Sequence, residues 1–226
     1  MFGLGRAVDP RVFVTILLCF IISITVHEFS HAWTANRLGD DTARLAGRIT
    51  LNPIAHFDPL GFLFLVLIAL GGGFLGWGKP VPVNYYRLRD GKRGMALVAA
   101  AGPLSNLVIA TVLALPLRFL PGVFVTLPPA AQLFFRTMIG LNIGLFAFNL
   151  IPLPPLDGLK ILTGLLPDFW QPVLAPLDRY GFVILFAIVF ILPQLIFGIS
   201  APVQSVLTRL IVGTGRATAL LGPLLR

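Results

Sequence analysis

The chain is poor in charge. Aspartate and glutamate number nine and lysine and arginine seventeen, together 12% of 226 residues, against 57% hydrophobic residues. A soluble domain carries roughly twice that charged fraction. With a mean hydropathy of +0.91, the composition excludes a soluble globular domain and predicts a polytopic membrane protein. There is one cysteine, Cys19, inside an apolar run, so an internal disulfide is excluded. No internal repeat is evident, and the length leaves no room for a second soluble domain of usual size. A cleavable signal is not expected, because the first apolar run lacks a small-residue cleavage site and should stay in the mature protein. Histidine is scarce, with three residues, and glutamate scarcer still, its single copy being Glu28.

Those rare residues fall together. His27, Glu28 and His31 form an HExxH inside the apolar run that starts near Val12. On a helix, positions i and i+4 share a face, so both imidazoles can reach one metal ion. Glu28 is then placed to take a proton from a metal-activated water. Ionisable groups within a membrane helix are costly unless they face a cavity or a partner, which argues against a chance match on a solvated surface.

The net charge of +8 does not imply a nucleic-acid partner. The basic residues cluster in loops between apolar runs, and positive-inside anchoring to the lipid bilayer accounts for them. Spans are expected at 12–37, 94–120 and 131–151, with a last apolar run at 180–200 and a mixed tail at 201–226. Loops are expected at 38–60, 78–93 and, rich in proline, 121–130. The run at 61–77 is short and interrupted by Gly71, Gly72, Gly73 and Gly76. The predicted fold is therefore all-α, with four to five transmembrane helices, a re-entrant segment and a short membrane-edge β strand or hairpin around Val81-Pro82-Val83, where proline is tolerated at an edge. One integral-membrane domain over 1–226 is expected, with its core at 12–165 and C-terminal helices at 180–226. The stretches 37–60 and 78–93 hold Arg37, Arg44, Arg48, Lys79, Arg87, Arg89, Lys92 and Arg93, whereas 119–135 holds no basic residue. The first two are assigned to the cytoplasm and the third to the opposite side. The segment 61–77 then leaves and returns on one side, and Asp157, just past the 131–151 span, comes to the same side as HExxH.

A hydrolytic zinc site takes three protein ligands and leaves a position for water. HExxH supplies two, and the candidates for the third are His56, Asp58 and Asp157. Asp157 is favoured because it follows a proline-broken helix end, the alternative being an exposed turn aspartate before Gly158. Asn149 reads equally as a hydrogen-bond donor to substrate or oxyanion and as a helix asparagine satisfying its own backbone. Asn106 reads as a packing residue bridging helices.

The HExxH helix, the Asn52-Pro53…His56…Asp58-Pro59 loop, the GKPVPVN segment at 78–84, the AGPLSN motif at 101–106 and the NLIPLPPLDG motif at 149–158 occur in this order. Together they resemble the site-2 protease family of intramembrane zinc metalloproteases over most of 12–165. The resemblance implies His27, His31 and Asp157 as ligands of one zinc per chain, Glu28 as catalytic acid/base and Asn149 as a substrate-binding residue. It also implies transmembrane protein substrates cut by regulated intramembrane proteolysis, and a multi-pass protein of the cell membrane, of the prokaryotic plasma-membrane type. The proline-valine segment resembles the family's membrane-edge strand, and that resemblance implies pairing with extended substrate by β-augmentation. The chain looks like the compact type, without a PDZ or nucleotide-sensing domain, and leaves the oligomeric state open. A metal transporter is the competing reading, but it would want repeats and more polar residues along the spans. A non-catalytic scaffold has no use for Glu28.

Overall fold

A computed structural model describes residues 9–69 and 76–213. Helix α1 (Pro10–Arg37) starts where Asp9 accepts a hydrogen bond from the Arg11 N–H at 2.8 Å and Pro10 takes the first helical position. The loop after it holds the short α2 (Thr42–Leu45) and a single turn at Pro53–His56. Helix α3 (Pro59–Ala69) follows, its first turn tied by Asp58 Oδ1 to the Gly61 N–H at 2.7 Å. From Gly76 to Asn84 the chain runs without turn or bend. Then come α4 (Lys92–Phe119), α5 (Pro121–Thr126), α6 (Pro129–Asn149), α7 (Asp157–Leu165), α8 (Gln171–Ile191) and α9 (Pro193–Ile211). Helix α4 is the central post, packed against α1, α6 and α7, while α1 also packs on α6.

Four stretches are long and apolar enough to cross a membrane: α1, α4, α6 and Asp168–Val189. The apolar run expected at 180–200 is not one span. It breaks between α8 and α9 at Leu192, because Pro193 has no N–H to continue the ladder and forces the preceding residue out of the helical region. The proline-rich stretch expected as loop holds α5, with Pro121 pre-set for a first helical turn. No strand forms among the described residues, since 79–84 is extended but unpaired, and a hairpin is not seen there.

The ends of the segment 61–77 meet. A Cβ on Gly61 would collide with the Trp77 carbonyl, one on Gly76 would lie 3.0 Å from Leu65 Cβ, and the Phe64 and Trp77 rings meet at a tilt with centroids 5.2 Å apart. The described ends of the segment, 61–69 and 76–77, therefore lie side by side, as a re-entrant segment requires. Its helix of 11 residues is about 16 Å long, half of a hydrocarbon core. Gly71, Gly72 and Gly73, the N-terminal lead and the tail beyond 213 lie outside the described residues.

A second break sets the depth of the site. Helix α6 stops at Asn149, which lines the central cavity. After the proline-rich 150–156, α7 continues toward the start of α4. There Gly164 abuts Ala96 and the Lys92 carbonyl, and the Lys92 ammonium binds the Leu166 carbonyl at 3.0 Å and the Asp168 carboxylate. The joint between α6 and α7 leaves Asp157 buried inside the bundle. Farther along α4, Ala110, Ala114 and Leu117 pack with Phe124, Ile139, Ile143 and Val212 into a dry core. Ala114 lies about 18 Å beyond Gly102 on α4, so the polar site and the apolar core occupy different levels of one bundle.

Candidate metal centre

His27 and His31 stand one turn apart on α1, with their Nε2 atoms 3.0 Å from each other. Asp157, the first residue of α7, puts Oδ2 3.2 Å from His27 Nε2 and 3.3 Å from His31 Nε2. All three residues are buried. The expected third ligand is thus the one brought to the pair. His56 is instead spent on the Thr50 carbonyl and on Arg48, and Asp58 on the start of α3.

The protons can be placed from the bonding pattern. His31 Nδ1 lies 2.7 Å from the Val98 carbonyl, which can only accept, so Nδ1 carries a hydrogen, and in the neutral imidazole Nε2 is then bare. His27 Nδ1 lies 2.7 Å from Asn106 Oδ1. The orientation of that amide follows from backbone carbonyls further on. Asn142 Nδ2 donates to the Met138 carbonyl and to Ser23 Oγ, each at 2.8 Å, so its Oδ1 must accept from Asn106 Nδ2 at 2.8 Å. Asn106 Oδ1 is left to accept from His27, and His27 Nε2 is also bare. Asn106 and Asn142 are fully buried, as is Ser23, whose hydroxyl donates to the Cys19 carbonyl at 2.7 Å. One polar chain through α1, α4 and α6 therefore fixes the tautomer of His27.

With both rings neutral, as metal ligation requires, three buried lone-pair atoms face one another, and Asp157 Oδ2 has no hydrogen-bond donor. Such a cluster is repulsive unless a cation sits among the lone pairs. The edges of a tetrahedron around zinc, with ligands at about 2.0–2.1 Å, are about 3.3–3.4 Å, close to the spacings found. Space is kept for the ion by Gly102, where a Cβ would fall 2.6 Å from His27 Nε2 and closer still to His31 Nε2. The donor set, the orphaned oxygen and the cradle at Gly102 fit a zinc ion.

Glu28, Asn149 and the three metal-facing residues line a cavity of about 510 Å³ whose walls include Val81, Val83, Phe148, Phe182 and Leu185. Glu28 is buried, and its carboxylate makes no hydrogen bond among the described residues. Asn149 donates Nδ2 to the Leu145 carbonyl at 2.9 Å, the bond to its own helix expected of it, and lines the same cavity. Sequence reasoning missed the role of Asn106 at His27, and it passed over Asn142, Ser23 and Gly102 as parts of the site. The available signal was the cost of an asparagine in an apolar helix, which marks a functional candidate without naming its partner.

A helical membrane bundle in which an HExxH helix meets an aspartate from another helix defines a membrane metallopeptidase. Residues 15–133 match the model of peptidase family M50, and the chain belongs to that family. It is 40% identical to YwhC of Bacillus subtilis, named as a zinc metalloprotease, over 79% of this chain and 80% of that protein. It is 35% identical to Rip2 of Mycobacterium tuberculosis over 84% and 73% respectively, and 29% identical to MJ0611 of Methanocaldococcus jannaschii over 75% and 83%; both carry the same kind of name. No solved structure matches the chain.

Proposed function

We propose that this multi-pass membrane metalloprotease hydrolyses peptide bonds in or near transmembrane segments of other membrane proteins, in the cell membrane, with one zinc held by His27, His31 and Asp157. The observation that carries the reading is the trio of buried atoms, His27 Nε2, His31 Nε2 and Asp157 Oδ2, within 3.3 Å of one another at the wall of a cavity that Glu28 also lines. A bound zinc supplies a Lewis acid for the scissile carbonyl and acidifies the attacking water.

The chain's own residues do the rest. Glu28, its carboxylate free of protein hydrogen bonds among the described residues, takes a proton from the attacking water and delivers it to the leaving amine nitrogen, so that water adds across the broken C–N bond. Asn106 and the Val98 carbonyl hold both imidazoles with Nε2 available. Asn149 stands at the wall where it meets the substrate backbone. A transmembrane helix hides its peptide bonds, so substrate must enter extended, and unpaired backbone inside a membrane needs a partner. The unpaired stretch at Val81 and Val83, in the same wall, offers that partner by β-augmentation.

The test is cleavage of a model transmembrane substrate by purified protein, with metal content measured alongside. Wild type should cut, and chelator should stop it. Glu28→Gln should keep about one zinc per chain, as an open three-ligand site predicts, while losing roughly 10²–10⁴-fold in rate. A wild type without metal, or Glu28→Gln cutting at the wild-type rate, would overturn the assignment.

A further inference from the structure

The stretch Lys79 to Asn84 is held from behind. In an extended chain, alternate residues turn to opposite edges. On the even-numbered edge, the Pro80 carbonyl accepts from Arg48 Nη1 at 3.1 Å and the Asn84 N–H donates to Asp40 Oδ2 at 2.6 Å. Pro82, between them, has no N–H to satisfy. On the odd-numbered edge, the backbone groups of Val81 and Val83 have no partner among the described residues, and both residues line the cavity. Lys79 closes the end: its N–H donates to the His56 carbonyl at 2.9 Å and its carbonyl accepts from Arg48 Nη2. The prolines also restrict Lys79 and Val81 to extended backbone.

The two anchors are built for this load. Arg48 is buried, which is costly for a guanidinium, and its fork serves two carbonyls and His56 Nδ1. His56 is fixed in turn by donating Nε2–H to the Thr50 carbonyl at 2.8 Å. Asp40 is fully buried, and its other oxygen accepts from the Thr42 N–H and hydroxyl. The Asp40 N–H donates to the Ala35 carbonyl, which ties the carboxylate to the end of the helix that carries His27, Glu28 and His31. The start of the stretch lies beside the site, since a Cβ on Gly78 would come within 3.5 Å of Glu28 Cγ.

We propose that Asp40 and Arg48 are positioning residues that pin both ends of the 79–84 stretch to α1 and its following loop, so that substrate paired along Val81 and Val83 is presented to Glu28 in one register. The proposal rests on the β-augmentation reading above. A loosened stretch can slide or tilt, which moves the peptide bond that faces Glu28. The readout is therefore the position of the cut and not only its rate.

The experiment uses the full zinc-loaded chain in detergent with a transmembrane substrate, and cut sites are mapped by mass spectrometry. Asp40→Ala and Arg48→Ala should keep about one zinc per chain, raise KM about tenfold, as loss of a buried charged hydrogen bond predicts, and spread the cut over neighbouring bonds. Arg48→Lys and Asp40→Asn are the milder pair should the alanine variants not accumulate, and they should shift the same readouts less. A reduced yield at an unchanged bond with unchanged KM would mean a structural role alone and would overturn the proposal. Val83→Pro, which removes an edge donor, separates the layers. If it leaves KM and cut site untouched, pairing along the edge is wrong. If it impairs binding while the Asp40 and Arg48 variants cut as wild type does, pairing stands and the anchoring role falls.

Discussion

Asn106 reaches the proposed metal ligand His27 from a second helix. Its amide oxygen fixes which nitrogen of His27 is protonated, and Asn142 fixes the amide. Replacing it by leucine, of similar size, leaves His27 Nδ1 without an acceptor and frees the ring to turn or change tautomer. Zinc affinity of Asn106→Leu, titrated against a competing chelator, should fall about 10–100-fold, with the fold retained. Gly102 acts by having no side chain. In Gly102→Ala the added carbon would occupy the space between the two Nε2 atoms, so metal content should drop far below one per chain, read by elemental analysis of the purified protein. Neither residue belongs to HExxH, and both come from α4.

At the scale of elements, the joints matter more than the helices. The break between α6 and α7 brings Asp157 to the histidines. The joint after α1 carries Asp40, whose buried carboxyl sets the start of the next loop. Burial alone would raise its pKa. Hydrogen bonds from the Thr42 hydroxyl, the Asn84 N–H and the Thr42 N–H, with Arg87 nearby, outweigh burial and hold it below the usual carboxylate value. A group whose pKa is lowered on folding stabilises the protein fully above its unfolded value, about 3.9, and loses that contribution as pH falls through the folded value. Thermal unfolding of wild type and Asp40→Asn should therefore differ by a constant amount at neutral pH, and the difference should shrink below about pH 4.

At the scale of the whole molecule, the meeting of Gly61 with Trp77 makes the re-entrant segment leave the charge assignment intact. The basic stretches before and after it share one side. Tyr86, 93% exposed, lies on that side, and Val125, 64% exposed, lies in α5 at the other end of α4. Single cysteines at the two positions should react with a membrane-impermeant maleimide from opposite faces, Tyr86→Cys from the cytoplasm. Native Cys19 is fully buried and should stay silent. Labelling of both from one face would overturn this topology.

By itself the sequence determined the chemistry and the class of fold. HExxH is a local pattern, and helical periodicity alone puts His27 and His31 on one face. Apolar runs of span length place α1, α4 and α6 in a membrane, and prolines before Asp157 mark a broken helix end. The sequence favoured Asp157 over His56 and Asp58, and the tertiary structure brought it beside His27 and His31 while engaging His56 and Asp58 elsewhere. The tertiary structure alone decided that Asn106 reaches across 79 residues to His27, that Gly102 keeps the ion's space open, and that Arg48 and Asp40 hold the cavity-edge stretch. Those contacts depend on how helices cross, and neither residue type nor local period encodes the distance between side chains on different helices.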